Sequence, residues 1–350
     1  MTDALGLDAA AERSDAVLDR IGSAAVVDRE VLETILTAVL SRGHVLLEDV
    51  PGTGKTVTAR LLAEALGLEF SRIQFTPDLL PADITGSNVY NEHEGCFEFA
   101  AGPVFTNVVL ADEINRAPPK TQAALLETME ERQVSVDGET HQLPDPFVVV
   151  ATQNPIEQEG TFRLPEAQRD RFGVKTAIGY NDIDGELELL ARRADRRTLA
   201  PSVDPAADAA TVRAMRETAE AVRVDEDVRR YIVKLARATR DDDRAEVGVS
   251  PRGIQRTFEV ARARAVLSGR EYVTPDDVKR IAEPAMAHRI VLTTEAGVEG
   301  VDARAVVRDA MATVDVPGVA PEAGDVTTDG TEPGPEAEQQ STPDRSDDRQ

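Results

Sequence analysis

The residues best suited to chemistry form one short run, Asp49-Val50-Pro51-Gly52-Thr53-Gly54-Lys55-Thr56. Closely spaced glycines let backbone N–H groups curl around an anion, and a following helix turns its positive end toward the same charge. A lysine and a neighbouring hydroxyl complete a grip on ATP and its magnesium ion, with Lys55 on the β- and γ-phosphates and Thr56 on Mg²⁺. The pattern G-x-x-x-x-G-K-[ST] asks for glycine at position 49, where this chain carries Asp49, so the match is one residue short. Two further apolar runs end in polar residues. Val108 to Ala111 leads into Asp112 and Glu113, an acid to hold Mg²⁺ through water and an acid to orient and activate the attacking water. Val148 to Ala151 leads into Thr152-Gln153-Asn154-Pro155, where Asn154 either contacts the γ-phosphate or the water, or only forms the turn before Pro155.

Such groups must be carried by a scaffold, and the periodicity supplies one. Apolar runs at 44–47, 70–75, 108–111, 147–151 and 174–178 alternate with helical stretches such as 56–66 and 119–131, which predicts an α/β fold with a five-stranded parallel sheet covered on both faces. Val31, Leu32, Ile35, Leu36 and Val39 predict a helix before the first strand, stopped by Gly43. The connections 77–103 and 131–146 are too long for simple loops, so each is expected to hold a small hairpin or helix. After about Ala200 the strand signal ends, and 206–222, 225–239, 251–268 and 275–288 all read as helices. Ser250-Pro251 and Thr274-Pro275-Asp276-Asp277 are clear helix starts. The expected division is an N-terminal extension over 1–26, a nucleotide-binding core over 27–200, an all-helical lid over 201–312 and a disordered acidic tail over 313–350.

Composition narrows the partners. With 39 basic and 64 acidic side chains the formal charge is −25, which would repel a phosphate backbone and argues against nucleic acid. Only five lysines occur, and the acidic residues are spread along the chain, a pattern expected of a halophilic proteome. The single cysteine, Cys96, excludes a disulfide framework and a multi-thiolate zinc site. No secretory segment or 18-residue apolar span is evident, so a cytoplasmic location is expected.

Longer stretches carry a resemblance. Gln74–Gly86 (QFTPDLLPADITG), Phe97–Phe105 (FEFAAGPVF), Leu110–Ala117 (LADEINRA), Thr152–Gly160 (TQNPIEQEG) and Leu164–Phe172 (LPEAQRDRF) are similar to the MoxR family of AAA+ ATPases, over about Val27 to Arg289. The resemblance implies a P-loop AAA+ core with a helical lid, and a homo-oligomeric, usually hexameric ring with ATP between subunits. It matches Arg171 to an arginine finger acting on the neighbour's γ-phosphate. Arg252 matches a second sensor, reaching the phosphate from the lid of its own subunit. It further implies energy-coupled remodelling, assembly or cofactor insertion in client proteins, beside a partner with a von Willebrand A type domain. The alternatives are a nucleic-acid-associated motor, or a motor subunit resembling that of magnesium chelatase. Three positions depart from the family: Arg169 replaces a usually apolar residue, and Asp28 and Arg29 stand where relatives tend to have Gly and Gln.

Overall fold

The computed structural model describes residues 4–155, 160–162 and 164–318. The acidic tail expected over 313–350 lies outside them from residue 319 onward, as does part of the TQNPIEQEG stretch. Each predicted apolar run forms a strand: β1 (Val45–Glu48), β2 (Phe70–Gln74), β3 (Val108–Asp112), β4 (Val148–Gln153) and β5 (Val174–Thr176). All are parallel, in the order β2-β3-β4-β1-β5. Parallel register brings the ends of β1, β3 and β4, with their polar residues, to one edge of the sheet.

The strands alternate their side chains between two cores. Val45, Leu47, Val108, Leu110, Val148 and Val150 face one cluster, while Leu46, Val109, Ala111, Val149 and Ala151 face the other. This is the period-two geometry of a strand buried on both faces. The first cluster is continuous with the lid, whose helices Ala209–Ala221, Glu226–Arg240, Pro251–Leu267 and Pro275–Met286 agree with the predicted ones. A short antiparallel pair, Ala245–Val247 with Val291–Leu292, and a final helix, Ala303–Thr313, complete it, so the lid is helical with one strand pair added.

The described part of the segment expected to be an extension, 1–26, packs into the core. Helix Leu7–Ala24 buries Ala10, Ser14, Val17, Leu18 and Ile21, a helical stripe that packs into the first cluster. The long connections resolve as expected. The first holds helix Pro81–Thr85 and a hairpin of Gly86–Asn91 with Cys96–Ala101, and the second a hairpin of Gln133–Val136 with Glu139–Gln142. Among the described residues, no helix is long and apolar enough to cross a membrane.

Candidate functional site

The glycine-rich run lies where β1 ends. Gly52 and Gly54 have φ of +88° and +93°, the left-handed region that penalises any residue with a Cβ. A Cβ added at either would meet nothing within 4 Å, so the constraint is backbone conformation and the surface they present is open. Gly54 ends in helix Lys55–Ala65, whose first turn carries Lys55 and Thr56.

Asp49, the departure from the phosphate-loop pattern, has a visible role. Its carboxylate accepts hydrogen bonds from the N–H groups of Val50 at 2.8 Å, Ile178 at 3.0 Å and Gly179 at 2.7 Å. It thus ties the start of the loop to the segment after β5. Thr53 donates to the Val50 carbonyl at 3.2 Å, and Lys55 Nζ donates to the carbonyls of Asp49 and Val50 at 2.8 and 2.6 Å. Pro51 is exposed at the loop's crest. Burial pushes the Lys55 pKa down, while the charges of Asp49, Asp112 and Glu113 oppose that shift. Lysine and acids therefore lie within electrostatic reach of one another.

Asp112 ends β3 and is buried. One oxygen accepts from Thr152 Oγ1 at 2.6 Å; the other accepts from Arg72 Nη2 at 2.7 Å and Nε at 3.1 Å. Glu113 follows at φ +57°, an uncommon conformation for a side-chain-bearing residue. Its N–H donates to Thr152 Oγ1 at 2.9 Å, and its carboxylate accepts from Gln74 Nε2 at 2.7 Å and pairs with Arg116 at 3.2 Å. Thr152 on β4 therefore locks both acids, and β2 supplies a partner to each through Arg72 and Gln74. Sequence reasoning gave no role to Thr152, Arg72 or Gln74. Their signal was present: two polar residues spaced i, i+2 on β2 share one face, and a hydroxyl interrupts the apolar β4. Asn154 is buried just beyond β4, beside the loop whose Asp49 N–H donates to the Gln153 carbonyl at 3.2 Å.

A cavity of about 500 Å³ opens over Gly52, Thr53 and Gly54 and continues along Ala24–Val27, Tyr180, Leu189, Leu190 and Arg192. The size suits a nucleotide. Sequence reasoning also passed over the helix that lines this cavity, Ile183–Asp195. Arg192 from that helix donates to the carbonyls of Gly22 and Ala25 at 2.6 and 3.2 Å, tying it to the end of the first helix. Asp28 and Arg29 serve structure nearby. Asp28 caps helix Arg29–Leu40 through the Glu30 N–H, and Arg29 pairs with Asp15, Asp19 and Glu33.

The two remaining arginines lie elsewhere. Gly173, just before β5, donates to the carbonyl of His44, just before β1, at 2.8 Å. His44 Nε2 lies 3.1 Å from the carbonyl of Met129, near the end of helix Pro119–Glu131. These groups mark the amino-terminal edge of the sheet, opposite the glycine-rich loop. Arg171 and Arg252 lie on that edge, where both reach Glu130: Arg171 Nη2 at 3.2 Å and Arg252 Nη1 at 3.1 Å. Arg252 thus pairs with Glu130 on this edge, away from the glycine-rich loop of its own subunit that the resemblance had it reach. The strands between the two edges are at least four residues long where the loop follows β1, about 13 Å at 3.3 Å per residue. Arg169 has no ion pair among the described residues.

The Arg171 segment is held from beneath by Arg289, which is 2% exposed. Its guanidinium donates to Asp170 Oδ1 at 2.7 Å and to the carbonyls of Asp170 and Phe172 at 3.2 and 2.6 Å. Ser250 at the start of the Arg252 helix also reaches Asp170, at 3.3 Å.

Comparison with known proteins agrees with this architecture. Residues 44–174 match the ATPase family associated with various cellular activities (AAA), and residues 237–310 match the AAA lid domain. Chaperone MoxR1 of Mycobacterium tuberculosis is 41% identical over 83% of this chain and 78% of its own length. Protein MoxR of Paracoccus denitrificans is 36% identical over 75% and 84%, and the uncharacterised YeaC of Bacillus subtilis is 46% identical over 86% and 93%. A crystal structure of a proposed ATPase from Cytophaga hutchinsonii superposes with a TM-score of 0.83 at 39% identity, covering 89% of this chain and 97% of that one. With its nucleotide-loop core, its lid and relatives of this closeness, the chain belongs to the MoxR family of AAA+ ATPases.

Proposed function

We propose that the chain hydrolyses ATP with Mg²⁺ in a ring of identical subunits, and that the ring uses this turnover to remodel or assemble client proteins. The observation that carries the reading is the separation of the site into two halves on opposite edges of one sheet. Lys55, Thr56, Asp112, Glu113 and Asn154 share the carboxyl edge, whereas Arg171 and Arg252 share the amino edge. No single subunit can close both halves on one triphosphate, and a head-to-tail ring is the arrangement that can. Oligomerisation also gives a use to the apolar side of helix Ile183–Asp195, where Ile183, Leu187 and Leu190 are 79%, 59% and 64% exposed.

The open glycine surface and the adjoining cavity fit a nucleotide, and the donor set fits magnesium. Thr56 and Asp112 would hold the ion, Asp112 through water because Thr152 and Arg72 already occupy its oxygens. Mg²⁺ would supply neutralisation of β- and γ-phosphate charge. Val50 to Gly54 and Lys55 bind the phosphates, and Asp49 fixes the loop that does so. Glu113 orients a water and accepts its proton, with Gln74 and Arg116 setting the direction of its carboxylate. Asn154 is placed to contact the same water or the γ-phosphate. Arg171 and Arg252 of one subunit stabilise the charge that spreads over the phosphoryl oxygens in the next. The family resemblance extends the proposal to a hexamer and to a partner with a von Willebrand A type domain. It gives no client.

Mixing two inactive proteins tests the division. Glu113→Gln disables the carboxyl half and Arg171→Ala the amino half, and each alone is expected to keep only a small, measurable residue of ATP turnover. Co-assembled, they form some interfaces in which an intact carboxyl half meets an intact amino half. Recovery of activity in the mixture is expected; a mixture as inactive as its components would refute catalysis across the interface.

A further inference from the structure

Glu130 lies in the last turn of helix Pro119–Glu131, which runs down to the amino edge, and it is the meeting point of a core arginine and a lid arginine. Its Oε2 faces Arg171 Nη2 at 3.2 Å, and its Oε1 faces Arg252 Nη1 at 3.1 Å. Two guanidinium groups brought this close repel one another unless an anion lies between them. The carboxylate offsets that repulsion and draws the two side chains to one point by an ion pair with each. Each arginine meets Glu130 at a terminal nitrogen, and the side chains of Arg171 and Arg252 remain 28% and 35% exposed. A planar guanidinium has more N–H donors than one carboxylate oxygen can take, so it can also meet a second anion.

We infer that Glu130 is a positioning residue, which holds Arg171 and Arg252 as a preformed pair for the phosphoryl group bound by the neighbouring subunit. The inference rests on the proposed action of the arginines across the interface. The surroundings favour a set geometry over a chance surface contact. The Arg171 segment is anchored by the buried Arg289, and the Arg252 helix is joined to that segment through Ser250 and Asp170. Both arginine backbones are therefore fixed, and Glu130 restrains the side-chain ends. Removing it leaves two long, mutually repelling side chains free to disperse. Because the pair acts on charge that develops during phosphoryl transfer, the loss should fall on kcat and spare KM.

The test is steady-state ATP hydrolysis with Mg²⁺ by the full chain carrying Glu130→Ala, alone and combined with Arg171→Ala or Arg252→Ala. Glu130 is 37% exposed at its side chain, so the variant should unfold at the wild-type temperature, which a thermal melt verifies. We expect kcat to fall about tenfold with KM within about twofold, and Glu130→Gln, which keeps one acceptor oxygen, to fall less. In either arginine-to-alanine background, Glu130→Ala should lower kcat by less than about twofold further, since residues acting as a unit are not additive. Wild-type kcat in Glu130→Ala, or a full tenfold loss added to that of Arg171→Ala and of Arg252→Ala, would overturn the inference. If the two arginine variants by themselves keep full activity, the interface reading fails, and Glu130 loses its proposed role with it.

Discussion

The two edges of the sheet are built in different ways. At the carboxyl edge, the residues proposed to bind phosphate and the two acids follow directly from strand ends, so each is placed by its own local run: β1 then Asp49–Thr56, β3 then Asp112 and Glu113, β4 then Asn154. At the amino edge, Glu130 and Arg171 come from two core segments and Arg252 and Arg289 from two lid segments, and the four meet because the lid folds back beneath the sheet. The first half is encoded by short motifs; the second is assembled by long-range packing. A half encoded locally can be disabled residue by residue, whereas a half assembled by packing should respond to changes in overall stability.

Lys55→Ala would break the carboxyl half most completely. In the proposed site the ammonium serves both binding and charge stabilisation of the same phosphates, so ATP turnover should drop by about a thousandfold or more. Its amino edge should remain intact, and the variant should still support hydrolysis in a neighbour when mixed with Arg171→Ala. Turnover near wild type would place the nucleotide elsewhere.

Thr152→Val sharpens the comparison at smaller scale. The change keeps the shape but removes the hydroxyl that donates to Asp112 and accepts from the Glu113 N–H. We expect kcat to fall about tenfold, and stability to fall by about 1–3 kcal/mol for the unsatisfied N–H and the lost charge-assisted bond. Urea titration and steady-state kinetics on one preparation check both. A variant with unchanged kcat would mean the acids are set by Arg72, Gln74 and Arg116 alone.

The amino edge should show its dependence on packing through pH. His44 accepts the Val149 N–H at 3.0 Å through Nδ1 and lies against the Met129 carbonyl through Nε2, the arrangement of a neutral ring. Burial, more than the nearby arginines, lowers its pKa from 6.5 to about 3. The unfolded chain takes up a proton that the folded chain refuses, so this stability is complete above pH 6.5 and is lost as pH falls from 6.5 toward 3. The slope is up to about 1.4 kcal/mol per pH unit. His288 is shifted the same way, mainly by burial and next by Arg289. Urea midpoints at pH 7 and pH 5 should differ more for wild type than for His44→Gln. Equal differences would show that His44 is not a buried neutral group.

Much of this was legible in the amino-acid sequence, for a physical reason. Strand ends, glycine-rich turns and helix caps are governed by neighbours within a few residues, so the five strands, the glycine loop and the principal lid helices follow from local pattern, while the length of the two connections told only that each holds a small hairpin or helix. The stripe Ala10, Ser14, Val17, Leu18, Ile21 was also legible, but its acidic surroundings made it resemble an appendage. Asp49 read as a defect, because a pattern says nothing of the Ile178 and Gly179 N–H groups that its carboxylate would meet.

What only the tertiary structure decided is which distant groups share a space. The strand order, the locking of Asp112 and Glu113 by Thr152, and the descent of Arg252 to Glu130 all join residues separated by tens of positions or more. Local periodicity states which face of an element is apolar, not which partner that face will find. The chain by itself therefore determined which residue types stand at the strand ends, where the proposed phosphate site lies. Folding the lid beneath the sheet determined that Arg171 and Arg252 meet at Glu130 on the opposite edge.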